Sequence, residues 1–458
     1  MYDLLIKGGQ VVLPETTIEA DLGLAGQVIS ALGIPGSLGP ARRQIDARGL
    51  FVLPGGIDPH VHLRWTPVPP GSDGLHPSTV AAACGGTTTL IDFVIQGADP
   101  IRASIQKRLA QAEGLMAIDY GLHVTITNAT PEALAEIGEV VKAGIPSFKL
   151  MTAYRKLKWM LEDGGLYAAM VEAARWGALV AVHAENEDLL LSITRDLLAQ
   201  GKTGVEYYEA GRPAVVEGEA TRRAIYLAHQ TGAALYLVHM TSEDALSAAR
   251  AAQRSGQRVF AETCPHYLTF TDEVYRRPDA RLFTVIPPLR SGTDRQALWE
   301  GVQDGAISCI GSDDALRTTA EKQQGETFDQ IPMGLPGLET RVPVLYSEGV
   351  AKGRISINRL AEIVATGPAR LFGLYPRKGV IAPGSDADLV LLDPSARRTI
   401  RCDGLHMPTD FTPFEGLDVQ GYPVMTILRG QVIVENCELV DRKPNGRFVA
   451  RDPVGRGC

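Results

Sequence analysis

The sequence predicts an α/β protein: a (β/α)₈ TIM barrel joined to a small β-sandwich domain built from the N- and C-terminal segments. Three observations predict it. Eight short apolar runs in the middle of the chain alternate with helical segments, the pattern of parallel strands linked by crossover helices. The two ends of the chain are strand-and-turn in texture instead. The 458 residues exceed one ordinary domain but fit a barrel of about 250 residues or more with a second module. The expected divisions are 1–52 together with 374–440 for the sandwich, 53–373 for the barrel and 441–458 for a C-terminal tail.

The first fifty residues read as short strands, "DLLIKGGQVVL", "ADLGLAGQVISALG" and "RQIDARGLFVLPG", punctuated by Gly8, Gly9 and Gly26. The first barrel strand leads into His60. The next seven are "TTTLIDF", "DYGLHVTI", "SFKLM", "ALVAVHAEN", "ALYLVHM", "RVFAETC" and "ISCIGSDD". Helix signals lie between them. "TPEALAEIGEVVKAG" has Pro131 in its first turn and sets Leu134, Ile137 and Val141 on one face, predicting one helix. After "ALYLVHM", Ser242 is placed to cap a helix opened by Glu243 and Asp244, with Gly256 past its end. Strand texture returns in "KGVIAPGSDADLVLLDP" and "YPVMTILRGQVIVENCEL", and "DRKPNGRFVARDPVGRGC" reads as a surface tail.

Composition excludes several classes. A formal charge of −8 leaves no basic excess to neutralise phosphates, so a nucleic-acid binder is not expected. No run of eighteen apolar residues appears, so no membrane span is expected. The six cysteines are scattered without a CxxC pair, which suits a reducing cytoplasm rather than a disulfide scaffold.

The chemistry is concentrated in polar residues at or near the ends of the apolar runs. "GGIDPHVHLRW" places His60 and His62 two apart, so that on a strand both imidazoles face one way. Lys149 lies in the fourth strand, His183 ends the fifth, His239 the sixth and Asp313 the eighth. Each has an ordinary reading alone: a satisfied polar residue, a snorkelling lysine, a turn aspartate. Jointly they fall at matching ends of barrel strands, where the chemistry of such barrels sits. Four imidazoles, a carboxylate and a lysine form a ligand set for two metals, provided the lysine amine is carbamylated by carbon dioxide into an anionic bridge. Burial among positive charges favours the neutral amine that this reaction needs.

The chain resembles the cyclic amidohydrolases of the amidohydrolase superfamily, above all D-hydantoinase and dihydropyrimidinase. The resemblance rests on "GGIDPHVHL", "AAACGGTTTLIDF", "SFKLMTAY", "VHAEN", "AETCPHYL", "PPLR" and "LFGLYPRKGVIAPGSDADLVLLDP", nearly the whole chain. It implies a hydrolase opening the cyclic amide of hydantoins or dihydropyrimidines to N-carbamoyl amino acids. It implies two divalent metal ions, zinc foremost: His60, His62 and Asp313 on one, His183 and His239 on the other, carbamylated Lys149 shared by both. Asp313 is then the proton shuttle and Tyr154 the oxyanion donor. Substrate is expected at main-chain groups near Ile286 and Met333. The resemblance also implies a homotetramer.

Three positions depart from the hydantoinase pattern. Asp313 is followed by Asp314 rather than the usual imidazole, leaving Asp314 either to cap the next helix or to place a second carboxylate beside Asp313. "HVHLR" is similar to the dihydroorotase form, in which an arginine at the Arg64 position grips a substrate carboxylate. "MGLPGLET" also leans that way, whereas "LIDFV" stands where dihydroorotases place a substrate-binding asparagine. An allantoinase- or dihydroorotase-like hydrolase is therefore the alternative. A non-catalytic dihydropyrimidinase-related scaffold is disfavoured because all six ligand positions are present.

Overall fold

The computed structural model describes residues 1–63, 74–440 and 443–454. Two sheets organise them. Five N-terminal strands, β1 (Tyr2–Val12), β2 (Thr17–Ala25), β3 (Val28–Gly33), β4 (Ala41–Asp46) and β5 (Phe51–Pro54), precede the barrel. The barrel strands are β6 (Gly56–Val61), β7 (Thr87–Ile95), β8 (Asp119–Thr125), β9 (Ser147–Met151), β10 (Leu179–His183), β11 (Ala234–Leu237), β12 (Val259–Thr263) and β13 (Cys309–Ile310). Four strands follow: β14 (Leu389–Thr399), β15 (Asp418–Leu428), β16 (Gln431–Glu435) and β17 (Glu438–Leu439).

The chain ends meet where β5 pairs antiparallel with β14, from Leu389 opposite Pro54 to Leu392 opposite Phe51. The resulting nine-stranded sheet runs β17-β16-β15-β14-β5-β1-β2-β3, with β4 beside β1. Its apolar faces share one core that includes Ile6, Leu22, Val52, Leu391 and Ile427.

The barrel strands run in sequence order and all pair in parallel. A parallel bridge between Val61 and Asp314 brings the exit of β13 back to β6. Every residue of β6, β8, β9, β10 and β11 is buried. Helices cover one face of a parallel strand and the barrel interior the other, so such strands read as unbroken apolar runs. A polar residue inside one is therefore either partnered or functional.

Two helix expectations fare differently. Ser242 Oγ accepts the Ala245 N–H at 3.3 Å, capping helix Glu243–Arg254, and Gly256 follows it at φ 80°. The segment after Thr130 forms two short helices rather than one, Pro131–Ala135 and Ile137–Lys142, divided at Glu136. Ile137 and Val141 are buried as expected, and Leu134 is half-buried.

The C-terminal segment is not a surface tail over residues 446–454. It crosses the barrel at the end where its strands begin. Arg447 O accepts the Tyr120 N–H at 2.9 Å, Val449 N–H returns to Tyr120 O at 2.8 Å, and Arg451 N–H reaches Gly144 O at 3.0 Å. Arg451, 3% exposed, also donates to Ser147 Oγ at 2.8 Å. The start of β8 leaves main-chain groups that need partners, and this polar segment supplies them.

Barrel and terminal sheet are tied by a buried charge cluster. Lys378 Nζ lies 2.8 Å from Asp119 of β8, 3.0 Å from Asp386 and 2.5 Å from Asp388, and Arg429 also bonds Asp119.

Candidate active site

The side chains picked out at the strand ends meet at the barrel mouth. His60 Nε2 lies 3.1 Å from Lys149 Nζ and 3.2 Å from Asp313 Oδ1, and His62 Nε2 is 3.5 Å from the same oxygen. His183 Nδ1 faces His239 Nε2 at 2.9 Å. His62, Lys149, Tyr154, His183, His239, Ile286, Asp313 and Met333 all line one cavity, and His60 is fully buried behind it. Arg64 lies outside the described residues. Tyr154, His239 and Asp313 each take a positive φ, 73°, 39° and 50°. A side chain other than glycine holds that conformation only where its surroundings impose it, and such strain gathers at functional sites.

Electrostatics favour ligand forms. Burial lowers the pKa of all four imidazoles, most strongly for His60 and His239, so they are neutral with lone pairs available. For Asp313 burial opposes the charge, yet the carboxyl is held well below the usual range, with a hydrogen bond from His62 among the causes. Burial draws Lys149 down to about 8, which makes the neutral amine accessible. The Tyr154 hydroxyl is pushed well above its ordinary value by burial and by Glu185, so it stays a proton donor.

Two glutamates that the sequence reading missed orient the imidazoles. Glu262 Oε1 holds His60 Nδ1 at 2.6 Å, and Glu262 also accepts the His239 N–H at 3.0 Å and the Tyr236 hydroxyl at 2.6 Å. Glu185 Oε2 holds His183 Nε2 at 2.9 Å and takes Arg212 Nη1 at 2.7 Å. Burial raises Glu185, but Arg212 and His183 bring it down to about 2. His60 and His183 thus each have one nitrogen held by a glutamate and the other turned to the neighbouring donors. The signal was an acid inside an apolar run, "FAETC" and "VHAEN". Phe93 was also missed. Its ring stacks on His62 at 4.9 Å, lies 4.8 Å from His60, and sits 4.3 Å from Lys149 Nζ.

His123 shows the contrast. It lies within β8, but its nitrogens go to Ser147 Oγ at 2.6 Å and Pro59 O at 2.9 Å, which makes it structural. Asp314 does not cap the following helix. Its Oδ1 accepts the N–H groups of Gly337 at 2.7 Å and Leu338 at 3.3 Å, fastening the loop that carries Met333. The cap falls to Thr318 instead.

Comparison with known proteins agrees with this geometry. Residues 51–433 match the model of the amidohydrolase family. A D-hydantoinase of Ralstonia pickettii is 40% identical over 455 residues, covering 98% of this chain and 99% of that one. A D-hydantoinase of Geobacillus stearothermophilus is 39% identical over 462 residues, 98% of this chain and 97% of that one. The crystal structure of a dihydropyrimidinase from Brevibacillus agri NCHU1002 superposes with a TM-score of 0.94 at 38% identity, over 99% of both chains. The chain belongs to the amidohydrolase family. Within it, the protein is a cyclic amidohydrolase of the D-hydantoinase and dihydropyrimidinase group.

Amidohydrolase chemistry calls for divalent metal, and the donor set fits it. His60, His239 and Asp313 bring ligand atoms within 4.8 Å of one another. The buried His239 Nδ1 has no hydrogen-bond partner, so Nε2 is the nitrogen turned to its neighbours. The donors are imidazole and carboxylate, which suit zinc and its first-row relatives. The Lys149 amine would repel a cation when protonated, whereas conversion to a carbamate would make it an anionic donor.

Proposed function

We propose that this cyclic amidohydrolase opens the ring amide of hydantoins or dihydropyrimidines to give N-carbamoyl amino acids. The observation that carries this reading is the convergence of His60, His62, Lys149, His183, His239 and Asp313 on one cavity that also holds the Tyr154 hydroxyl. His60, His62 and Asp313 would hold one divalent cation, His183 and His239 a second, with carbamylated Lys149 as the ligand between them. When bound, the cations supply a hydroxide nucleophile at neutral pH and polarise the scissile carbonyl.

The chain's own groups do the rest. Tyr154 Oη, on a ring 4.9 Å from that of His183, donates a hydrogen bond to the oxygen that becomes negative as the ring amide carbon is attacked. Asp313 accepts the proton lost by the nucleophile and hands it to the leaving ring nitrogen. Main-chain groups near Ile286 and Met333 bind the planar amide of the substrate. Glu262 and Glu185 keep His60 and His183 in the tautomers that ligate. The ring of Phe93 against His62 is an apolar wall, which favours a neutral ring over a carboxylate-bearing one.

A reducing cytoplasm suits the five described cysteines, none of which is paired. Among the described residues no helix is long and apolar enough to cross a membrane. The same reading includes a homotetramer, for which the exposed Tyr167, Val171, Val215 and Tyr226 on barrel helices supply apolar surface.

A panel of dihydrouracil, hydantoin, 5-aryl hydantoins, allantoin and dihydroorotate, scored by ring opening before and after chelation, tests the proposal. We expect turnover of hydantoins or dihydrouracil that chelation abolishes and zinc restores. Turnover confined to dihydroorotate or allantoin, or insensitive to chelation, overturns it.

A further inference from the structure

Far from the mouth, three donors from separate parts of the chain meet. Cys84 is the last residue of helix Leu75–Cys84, three residues before β7 begins, and so lies at the opposite end of the barrel from the active site. Glu339 precedes the helix Arg341–Leu345, and His406 lies in the connection between β14 and β15. The Cys84 sulfur, a Glu339 oxygen and a His406 ring nitrogen all lie within 4.8 Å of one another.

We propose that Cys84, Glu339 and His406 form a second cation site, structural rather than catalytic, that takes a thiophilic divalent ion such as zinc and staples the barrel to the terminal sheet.

The donor chemistry is that of a structural zinc site: one thiolate, one imidazole, one carboxylate. Tetrahedral bonds of about 2.0–2.3 Å set ligand atoms roughly 3.3–3.8 Å apart, so the cluster needs a contraction of about 1.5 Å at most. Its members are already held. Glu339 engages His406 with both oxygens, one from the main-chain N–H at 2.6 Å and one at ring Nδ1 at 2.9 Å. The 339 segment runs so close to the helix end that a Cβ on Gly85 would lie 2.3 Å from Glu339 O. Thr426 of β15 donates to Ala83 O at 2.7 Å beside the site, so the terminal sheet already rests on this helix.

The surroundings are rich in groups that a cation would satisfy. Cys84 and Glu339 are 1% and 2% exposed. Glu438 Oε2 lies 3.7 Å from His406 Nε2, and the buried Cys437 thiol donates to Pro423 O at 3.2 Å and acts electrostatically on Cys84. Glu438 can complete a four-ligand shell, leaving Cys84 the single sulfur donor. Without a cation, Glu339 pairs with a protonated His406 and burial keeps the Cys84 thiol neutral. Binding exchanges the His406 ring proton and the Cys84 thiol proton for one divalent ion, and two protons leave.

Sulfur separates this site from the mouth, whose ligands are nitrogen and oxygen only. The test is full-length protein produced in medium supplemented with cobalt(II). A cobalt–thiolate bond gives a sulfur-to-metal charge-transfer band in the near ultraviolet that an all-nitrogen-and-oxygen site lacks. We expect this band in the wild-type chain at one thiolate per chain. Cys84→Ser is expected to abolish it and to lower the bound metal by one ion per chain, leaving cobalt at the mouth. Absence of the band from the wild-type protein overturns the proposal without recourse to any variant, and so does its persistence in Cys84→Ser.

Discussion

His60 turns its Nε2 toward Lys149 and Asp313 because Glu262 Oε1 holds its Nδ1 at 2.6 Å. A carboxylate accepts from the ring N–H and so selects the tautomer whose other nitrogen can ligate. An amide at that position can also donate, and would stabilise the opposite tautomer. Glu262→Gln is therefore expected to weaken metal binding at the mouth by about 10- to 100-fold. Competition with a chelator measures it. Unchanged affinity would show that the orientation of His60 comes from packing alone.

Lys149 sits 3.1 Å from His60 Nε2, buried against the Phe93 ring. On the proposed reading, Lys149→Ala removes the anionic ligand that both metals share. Metal content is expected to fall well below two ions per chain and turnover to collapse, with partial rescue of both by a short carboxylic acid. Elemental analysis with and without the acid decides it. Retention of two metals with near-normal turnover would remove the bridging role.

Tyr154 is held in a left-handed conformation, its main-chain N–H bonded to Glu187 Oε2 at 2.7 Å. Tyr154→Phe keeps the ring and deletes the donor. A contribution confined to the transition state predicts a kcat loss of about 10²–10³ with both metals retained. A rise in KM at unchanged kcat would instead make Tyr154 a binding residue.

Asp314 fastens the Met333 loop through the Gly337 and Leu338 N–H groups. Asp314→Asn keeps an acceptor and is expected to be mild. Asp314→Ala leaves two buried donors unpaired, at a cost of about 1–3 kcal/mol each, and loosens the loop. Chemical unfolding together with KM for the best substrate reads both effects. Equal behaviour of the two variants would exclude the hydrogen-bonding role.

Lys378, 1% exposed at its side chain, is enclosed by Asp119, Asp386 and Asp388. Lys378→Met takes the buried cation from Asp386 and Asp388, leaving Asp119 with Arg429, and is expected to cost about 3–5 kcal/mol near neutral pH. The carboxylates, with Asp388 first, raise the folded-state pKa of Lys378 above the ordinary 10.5 against the opposing effect of burial. The wild-type contribution is therefore complete below that ordinary value and is lost as pH climbs through the folded one. The deficit of the variant should shrink in acid, where the aspartates take up protons. Guanidinium unfolding across pH checks both trends.

Much of the architecture was legible in the chain. A parallel strand buried on both faces must be apolar throughout, so His60, Lys149, His183 and Asp313 stood out against "VLPGG", "SF", "LVAV" and "CIGS" without any knowledge of their neighbours. Ser242 announced its helix because a cap is a local bond, three residues long. Local signals failed wherever partners were distant. His123 and His60 are both histidines within strands; only Ser147 on β9 and Pro59 on β6 make one structural, and only Glu262 turns the other to the cavity. The segment 446–454 read as solvated because its polar groups find their partners at Tyr120, Gly144 and Ser147, some three hundred residues earlier. Asp314 read as a possible helix cap because the Gly337 and Leu338 donors are not adjacent in sequence.

The sequence by itself determined the barrel, the terminal strands and which polar side chains gather at the mouth, because periodic burial and strand-end placement are properties of neighbouring residues. Tertiary structure alone decided which nitrogen each histidine presents, where Asp314 spends its carboxylate, and that Cys84, Glu339 and His406 share a corner. Those outcomes depend on hydrogen bonds and approaches between segments whose separation along the chain carries no local signal.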